Sequence, residues 1–367
     1  MKIYLYSLIL TDRDHPVHHQ ELVLHAYVRG SGDTKVCLVI QDHVFYFQRA
    51  AFQKFDLHIR EMLLEYGQHM GEDQGYSERD RCNPDRTAKQ VVFFVCPLIE
   101  PVFKISHFVG KGKDILSGIC QDQIPSSITE KCVSDALSVG YRSVDTAQCY
   151  GNEAATGRAI KASGIPREEV FVTTKLWGGR GYKDTVSSID GSLKALGMDH
   201  IDLLLIHEPT GDFHEIYRAM EDAYQSGKLR AIGVANFLEK NYKSLLETAE
   251  IIPAVNQIET HVFRQQKGMR KLLSDNGTVH ESWSPLACGQ NGFFRNQVLK
   301  EIGEKYGKSN AQVGLRFLYQ QGIVIIPKST HIERMKENMD ILDFELTAAE
   351  MNEITGLDLD RSMFGWW

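Results

Sequence analysis

From about residue 112 the sequence predicts an α/β chain built as a closed (β/α)8 barrel, the TIM-barrel class, behind an atypical N-terminal extension of mixed strands and one helix. Three observations lead there. Eight short apolar segments alternate with helical stretches over about 230 residues, the unit count that a (β/α)8 barrel requires. Several segments, such as IDLLLIH and VIIP, are near-continuous apolar runs, as strands covered on both faces of a parallel sheet are. The competing architecture, a doubly wound sheet, normally carries G-x-G-x-x-G after its first strand, and no such string occurs.

The expected strands fall at 115–119, 142–145, 170–175, 201–207, 229–234, 254–257, 279–283 and 323–326. The helices between and after them fall at 126–139, 153–163, 184–196, 214–225, 238–248, 265–274, 295–306, 309–320 and 331–339. Gly307-Lys308-Ser309 fails as a phosphate loop, because the glycine required five positions before Gly307 is Ile302. A helix boundary at Gly307 with Ser309 as N-cap accounts for it better.

The 367 residues are 43% hydrophobic and 24% charged, a globular balance that excludes a mainly disordered chain. The net charge of −7 is shared between the parts, so neither is a basic nucleic-acid module by composition. Seven scattered cysteines without a C-x-x-C pair suggest reduced thiols and a cytoplasmic protein. No stretch approaches 18 apolar residues, which argues against a spanning helix, and the charged DRD soon after the start argues against a signal peptide.

The chain is expected to divide into residues 1–105, an extension of unknown role, and residues 106–367, the barrel. In the extension, strands are expected at 3–10, 22–28, 35–40 and 43–47, an amphipathic helix at 51–69, a polar linker at 71–90 and a buried strand at 91–96. Its histidines show no recognisable metal-ligand spacing, and no metal is expected.

The polar residues at the strand ends carry the chemistry. Asp145 ends the second expected strand, Lys175 the third and His207 the fourth, and Tyr150 lies in the loop after the second. In a barrel all strand C-termini open onto one face, so these four can converge. Singly, each has a plain structural explanation: a helix cap, a rim charge, a satisfied histidine. Together they fit carbonyl reduction. Asp145 pairs with Lys175, and the ammonium lowers the pKa of the Tyr150 phenol. His207 orients a carbonyl oxygen, and Tyr150 protonates it as hydride reaches the carbon. Hydride must come from a cofactor. Asn236 and Gln257 can hydrogen-bond a carboxamide, and Trp283 offers a ring for a nicotinamide. Lys328, Ser329 and Thr330 precede a helix N-terminus suited to phosphate, with Arg334 four positions on. Two cations there favour NADP(H) over NAD.

At these residues the chain from about 112 onward closely resembles the aldo-keto reductase family, specifically its bacterial, diketogluconate-reductase-like members. The resemblance rests on GYRSVDTAQCYGNE, KLW, DLLLIHEP, GKLRAIGVANF, NQIE, SWSPL and IPKSTHIERMKEN, in that order. It implies the tetrad Asp145, Tyr150, Lys175 and His207, and NADP(H) held by Asn236, Gln257, Trp283, Ser284, Leu286, Lys328, Ser329, Thr330, Arg334, Glu337 and Asn338. It also implies Trp177 and His207 in the substrate pocket, a small-molecule carbonyl substrate, no nucleic-acid or membrane partner, and a monomer. Three departures stand out. The glycine-rich turn of the first strand is degraded to Ser117-Gly118-Ile119-Cys120. Ala235 replaces a usual serine. The tail SMFGWW is short, which implies a wide pocket or one covered by Trp366 and Trp367. The degraded first strand favours a rival reading, a catalytically impaired barrel that binds NADP(H) as a sensor or partner protein. Residues 1–105 match nothing in the family.

Overall fold

The computed structural model describes residues 2–10, 20–28, 35–40, 43–48, 118–122, 124–179 and 181–365. The chain divides into two compact units, Met1–Ile99 and Glu100–Trp367. The first holds four strands, β1 (Lys2–Leu10), β2 (Gln20–Val28), β3 (Lys35–Ile40) and β4 (His43–Gln48). They form an antiparallel meander in sequence order, with Lys2 opposite Val28 and Lys35 opposite Gln48. The expected helix at 51–69, linker at 71–90 and strand at 91–96 lie outside the described residues, as do Trp366 and Trp367.

The second unit is an eight-stranded parallel sheet flanked by helices. Its strands are β5 (Ile119–Cys120), β6 (Ser143–Asp145), β7 (Phe171–Leu176), β8 (Leu203–Ile206), β9 (Ile232–Ala235), β10 (Val255–Glu259), β11 (Val279–Trp283) and β12 (Val324–Ile325). Each pairs with its neighbours in the sequence, from β12 through to β5. The ladder is open in order. Between its ends run two backbone hydrogen bonds, from Gly118 N–H to Ile325 O (2.8 Å) and from Cys120 N–H to Pro327 O (3.4 Å). The first strand therefore forms despite its degraded turn. Gly118 is the glycine that matters there, because a Cβ would stand 3.0 Å from both Ile326 Cγ2 and Ser143 Oγ.

The helices are α1 (Ser126–Ser138), α2 (Glu153–Ala162), α3 (Tyr182–Leu196), α4 (Phe213–Gln225), α5 (Glu239–Thr248), α6 (Lys267–Asp275), α7 (Gln297–Tyr306), α8 (Asn310–Tyr319), α9 (Ile332–Met339) and α10 (Ala348–Thr355). Gly307 ends α7 with φ 65°, and Ser309 opens α8 in a reciprocal capping box with Gln312, as expected. Helix α10 was not expected, although Thr347 and Glu350 form the same kind of box.

Strand periodicity sorts the core into two faces. Leu204, Ile206, Ile232 and Val234 join the helices in one cluster. Leu203, Leu205, Phe171, Ala231, Ala235 and Val255 form another, with Val279 against it. Apart from Ala254, just before β10, that second set holds odd-numbered positions in and beside β7 to β11. Continued toward the strand ends, the same phase reaches Asp145, Lys175, His207, Gln257, Glu281 and Trp283.

Helices α2 and α3 meet closely at Gly157, where an added Cβ would lie 2.0 Å from the Leu196 carbonyl oxygen. Gly157→Ala must therefore push the two helices apart. We expect it to lower stability by about 1–3 kcal/mol, read as a fall in denaturant midpoint with an unchanged slope.

Candidate active site

Asp145 and Lys175 are buried side by side and form an ion pair, Lys175 Nζ to Asp145 Oδ1. The ammonium also donates to Thr146 O at 3.0 Å. The second Asp145 oxygen accepts from Gln257 Nε2 at 2.9 Å, and the same nitrogen donates to Glu281 Oε1 at 2.5 Å. Burial alone would lower the lysine pKa, but Asp145, with Cys120 and Glu281, holds it above its ordinary value.

Tyr150 ends the 3-10 turn Gln148–Tyr150, and Lys175 Nζ lies 5.1 Å from its ring centroid. The His207 ring meets Tyr150 edge-on at 5.7 Å and Trp177 at 5.4 Å. The four residues read as a tetrad therefore stand together, with Trp177 exposed at their side. One expectation fails. Lys175 does not lower the phenol pKa. Burial, followed by Cys120 and Asp145, pushes it well up and outweighs the ammonium. Burial and Lys175 push His207 down to about 3, so its imidazole is neutral. Its Nδ1 lies 3.4 Å from Cys149 Sγ, and burial raises that thiol.

The turn that carries Tyr150 is pinned by residues that sequence reasoning passed over. Asn152 is buried, donates to Gln121 O and Ile124 O, and accepts from Thr146 Oγ1. Glu153 accepts from Thr174 Oγ1 at 2.7 Å. Gln148 donates to Ser188 and Ser192 on α3. Both amide atoms of Gln121, next to the pinned backbone, are buried without a partner among the described residues.

The cofactor positions divide in the same way. Asn236 adopts φ 62°, and its amide is engaged at both ends. Nδ2 donates to His207 O (3.2 Å) and Glu208 Oε1 (2.9 Å), and Oδ1 accepts from Trp283 Nε1 (2.8 Å). It braces the mouth from within, instead of standing free for a carboxamide. Burial raises Glu208 to about 7, and its other oxygen has no partner. The Trp283 ring also meets Phe364 at 5.1 Å, tilted by 54°, while Met363 N–H donates to Glu259 Oε1 at 2.9 Å. The tail thus reaches the mouth through Phe364. Ser284, with φ 53°, contacts Cys288 Sγ, and Leu286 is half-buried beyond it. Ser329 is buried and closes the turn into α9 by bonding His331. Thr330 is half-buried beside it. Lys328 and Arg334 are exposed, and among the described residues neither makes an ion pair. Glu337 accepts from Ser309 Oγ, and Asn338 is buried.

This arrangement, a buried cation beside a phenol and a neutral imidazole, can hold a carbonyl oxygen and protonate it. The model of the aldo/keto reductase family matches residues 117–359. The chain is 46% identical over 231 residues to the glyoxal reductase of Bacillus subtilis, covering 62% of this chain and 83% of that protein. The crystal structure of MGS-M4, an aldo-keto reductase from a Medee basin deep-sea metagenome library, superposes with a TM-score of 0.67 at 40% identity, over 68% of this chain and 93% of that one. A Bombyx mori aldo-keto reductase solved with NADP gives a TM-score of 0.63 at 34% identity, over 67% of this chain and 90% of its own. The chain belongs to the aldo/keto reductase family. It is an NADP-dependent oxidoreductase that works between carbonyls and alcohols.

The buried pair is the most exposed point of this site to mutation. Asp145→Asn leaves a fully buried ammonium without its counter-charge. We expect a loss of about 3–5 kcal/mol in denaturant unfolding. The double variant Asp145→Leu, Lys175→Met should regain most of that stability. A single variant as stable as the parent would show that the ammonium finds another partner.

Proposed function

We propose that the chain reduces small aldehydes and ketones, sugar-derived carbonyls among them, with Asp145, Tyr150, Lys175 and His207 as its reacting group of residues. The observation that carries this is the meeting of Tyr150, His207 and the Lys175 ammonium around one point at the strand ends. The exposed Trp177 beside His207 forms the apolar wall of the substrate pocket. The motifs KLW and SWSPL support a place among the bacterial, diketogluconate-reductase-like members.

The residues present suit NADP(H). Lys328 and Arg334, without an ion pair among the described residues, flank the start of α9, where they can read a ribose 2′-phosphate while the first N–H groups of α9 face phosphate. Gln257 turns both amide hydrogens inward and keeps its carbonyl oxygen for a carboxamide N–H. Ser284, Leu286 and Ser329 line the loops between. When bound, the cofactor supplies the hydride. The protein supplies the rest. The Cys149 thiol stays protonated and gives its S–H to His207 Nδ1, which places the ring proton on Nε2. That N–H holds the carbonyl oxygen. The Tyr150 hydroxyl gives its proton to the same oxygen, and Lys175, held by Asp145, offsets the negative charge that passes through the phenol. The raised phenol pKa keeps Tyr150 protonated, the form that reduction needs.

The sheet closes into a barrel in this reading, supported by the two hydrogen bonds from Gly118 and Cys120 to Ile325 and Pro327. Residues 1–105 form a separate extension from the 106–367 barrel. The four cysteines described in the barrel are all free, which supports a cytoplasmic protein, and we propose a monomer.

Tyr150→Phe keeps the ring and removes the proton, so NADPH binding should survive while turnover of small aldehydes falls by about 10²–10⁴-fold. Retained turnover would remove Tyr150 from the reaction. Arg334→Ala should weaken NADPH binding by roughly 10- to 150-fold and leave NADH nearly unchanged. Equal losses for the two would show that Arg334 supports the loop instead of reading the phosphate.

A further inference from the structure

Glu281 has no part in the chemistry described so far, yet it sits in the middle of the strand-end network. It is 6% exposed, on β11, directly across the ladder from Gln257. Two carboxylates, Asp145 from β6 and Glu281 from β11, face a single amide nitrogen. Carboxylate oxygens can be met only by a donor, so the NH2 of Gln257 must point inward and its carbonyl oxygen outward. With Asp145 alone, one amide hydrogen would be left unpaired in a buried setting, and the amide could rotate to satisfy it. With both carboxylates the orientation is fixed.

We propose that Glu281 is a positioning residue for the reductase reaction: by accepting the second amide hydrogen of Gln257, it locks the Gln257 carbonyl oxygen toward the cofactor mouth, ready for a carboxamide N–H. The proposal rests on the reading of Gln257 as a cofactor contact and adds the group that sets its orientation. Glu281 touches neither substrate nor cofactor.

The lock depends on charge. Burial, then Asp145, raises the Glu281 carboxyl to about 7, while the bond from Gln257 and the Lys175 ammonium hold it down. The titratable groups around it are Asp145 on β6 and Lys175 on β7, with Cys120 on β5 and Tyr150 acting on the same Asp145. The adjoining ladder positions are Gln257 on β10 and Val324 on β12, neither of them titratable. Above its pKa, Glu281 is a carboxylate and accepts a charge-assisted hydrogen bond. Below it, the neutral acid carries an O–H that competes for the Gln257 carbonyl oxygen and favours the turned-over amide. Cofactor affinity should therefore rise as pH increases through about 7.

The test is direct binding, read by quenching of tryptophan fluorescence, with the full chain between pH 5.5 and 8.5. NADH is the first probe because it lacks the 2′-phosphate, which titrates in the same range, and NADPH is the second. We expect the parent to bind NADH several-fold tighter at the alkaline end. Glu281→Gln, close to the parent in shape but unable to ionise, should lose that dependence. Glu281→Leu should bind both cofactors about 10-fold more weakly at every pH. If Glu281→Leu fails to fold, Glu281→Gln decides alone. A pH step that persists in Glu281→Gln, or parent-like binding by both variants, overturns the proposal. Gln257→Leu separates the two readings: unchanged NADH binding removes Gln257 as a cofactor contact, whereas weakened binding beside unchanged Glu281 variants removes Glu281 alone.

Discussion

The ammonium of Lys175 is fully buried among parallel strands, and much of the rest of the site follows from that fact. A cation taken out of water needs a counter-charge and a partner for each remaining hydrogen. Asp145 and Thr146 O meet the ammonium. Asp145 is itself buried, so its second oxygen needs a donor, and Gln257 reaches across the sheet to supply one. Gln257 then carries a spare amide hydrogen, which Glu281 takes. One buried charge thus ties β6, β7, β10 and β11 together by side chains that point into a common space. The odd-numbered phase of these strands makes this possible, since it puts apolar residues deeper in the sheet and polar ones at its C-terminal edge.

The chain of partners leaves the mouth electrically quiet. His207 is neutral, the Cys149 thiol stays protonated, and Tyr150 keeps its proton. In the reaction proposed above, the Tyr150 proton leaves for a substrate oxygen without any neighbouring group having to change its charge first. Lys328 and Arg334, exposed at the start of α9, make no ion pair among the described residues.

The strands, nearly all of the helices and the four clustered residues were legible in the sequence. Apolar runs mark strands, and a lone polar residue at the end of such a run is conspicuous. What escaped is what depends on three dimensions. Glu281 reads as an ordinary charge in HESW until its phase with Trp283 is noticed, two positions on. Asn152 and Glu153 belong to a quoted motif, but their work is to hold a loop, which no pairwise spacing discloses. The expected effect of Lys175 on Tyr150 failed because sequence names the neighbour and not the burial around it. Asn236 looked free for a ligand because the indole and carboxylate that engage it come from residues 283 and 208. Helix α10 escaped because its eight residues have little apolar periodicity, although Thr347 and Glu350 marked its start.

The first strand shows how far a motif can erode before its structure does. Four things are required of it: pairing with β6, a small residue where it crosses toward β12, a carbonyl for Asn152, and an amide for Asp145. Ile119 and Cys120 pair with Val144 and Asp145, which any side chain permits. The carbonyl and amide of Gln121 meet Asn152 and Asp145, again through the backbone. Gly118 alone is constrained by its lack of a side chain, and it is the glycine that was kept. The residues lost from the turn were ones whose side chains the strand does not use. A degraded motif at this position therefore does not imply a degraded site. The Gln121 bonds to Asp145 and Asn152 come from main-chain atoms just after β5, and substitution leaves those atoms in place.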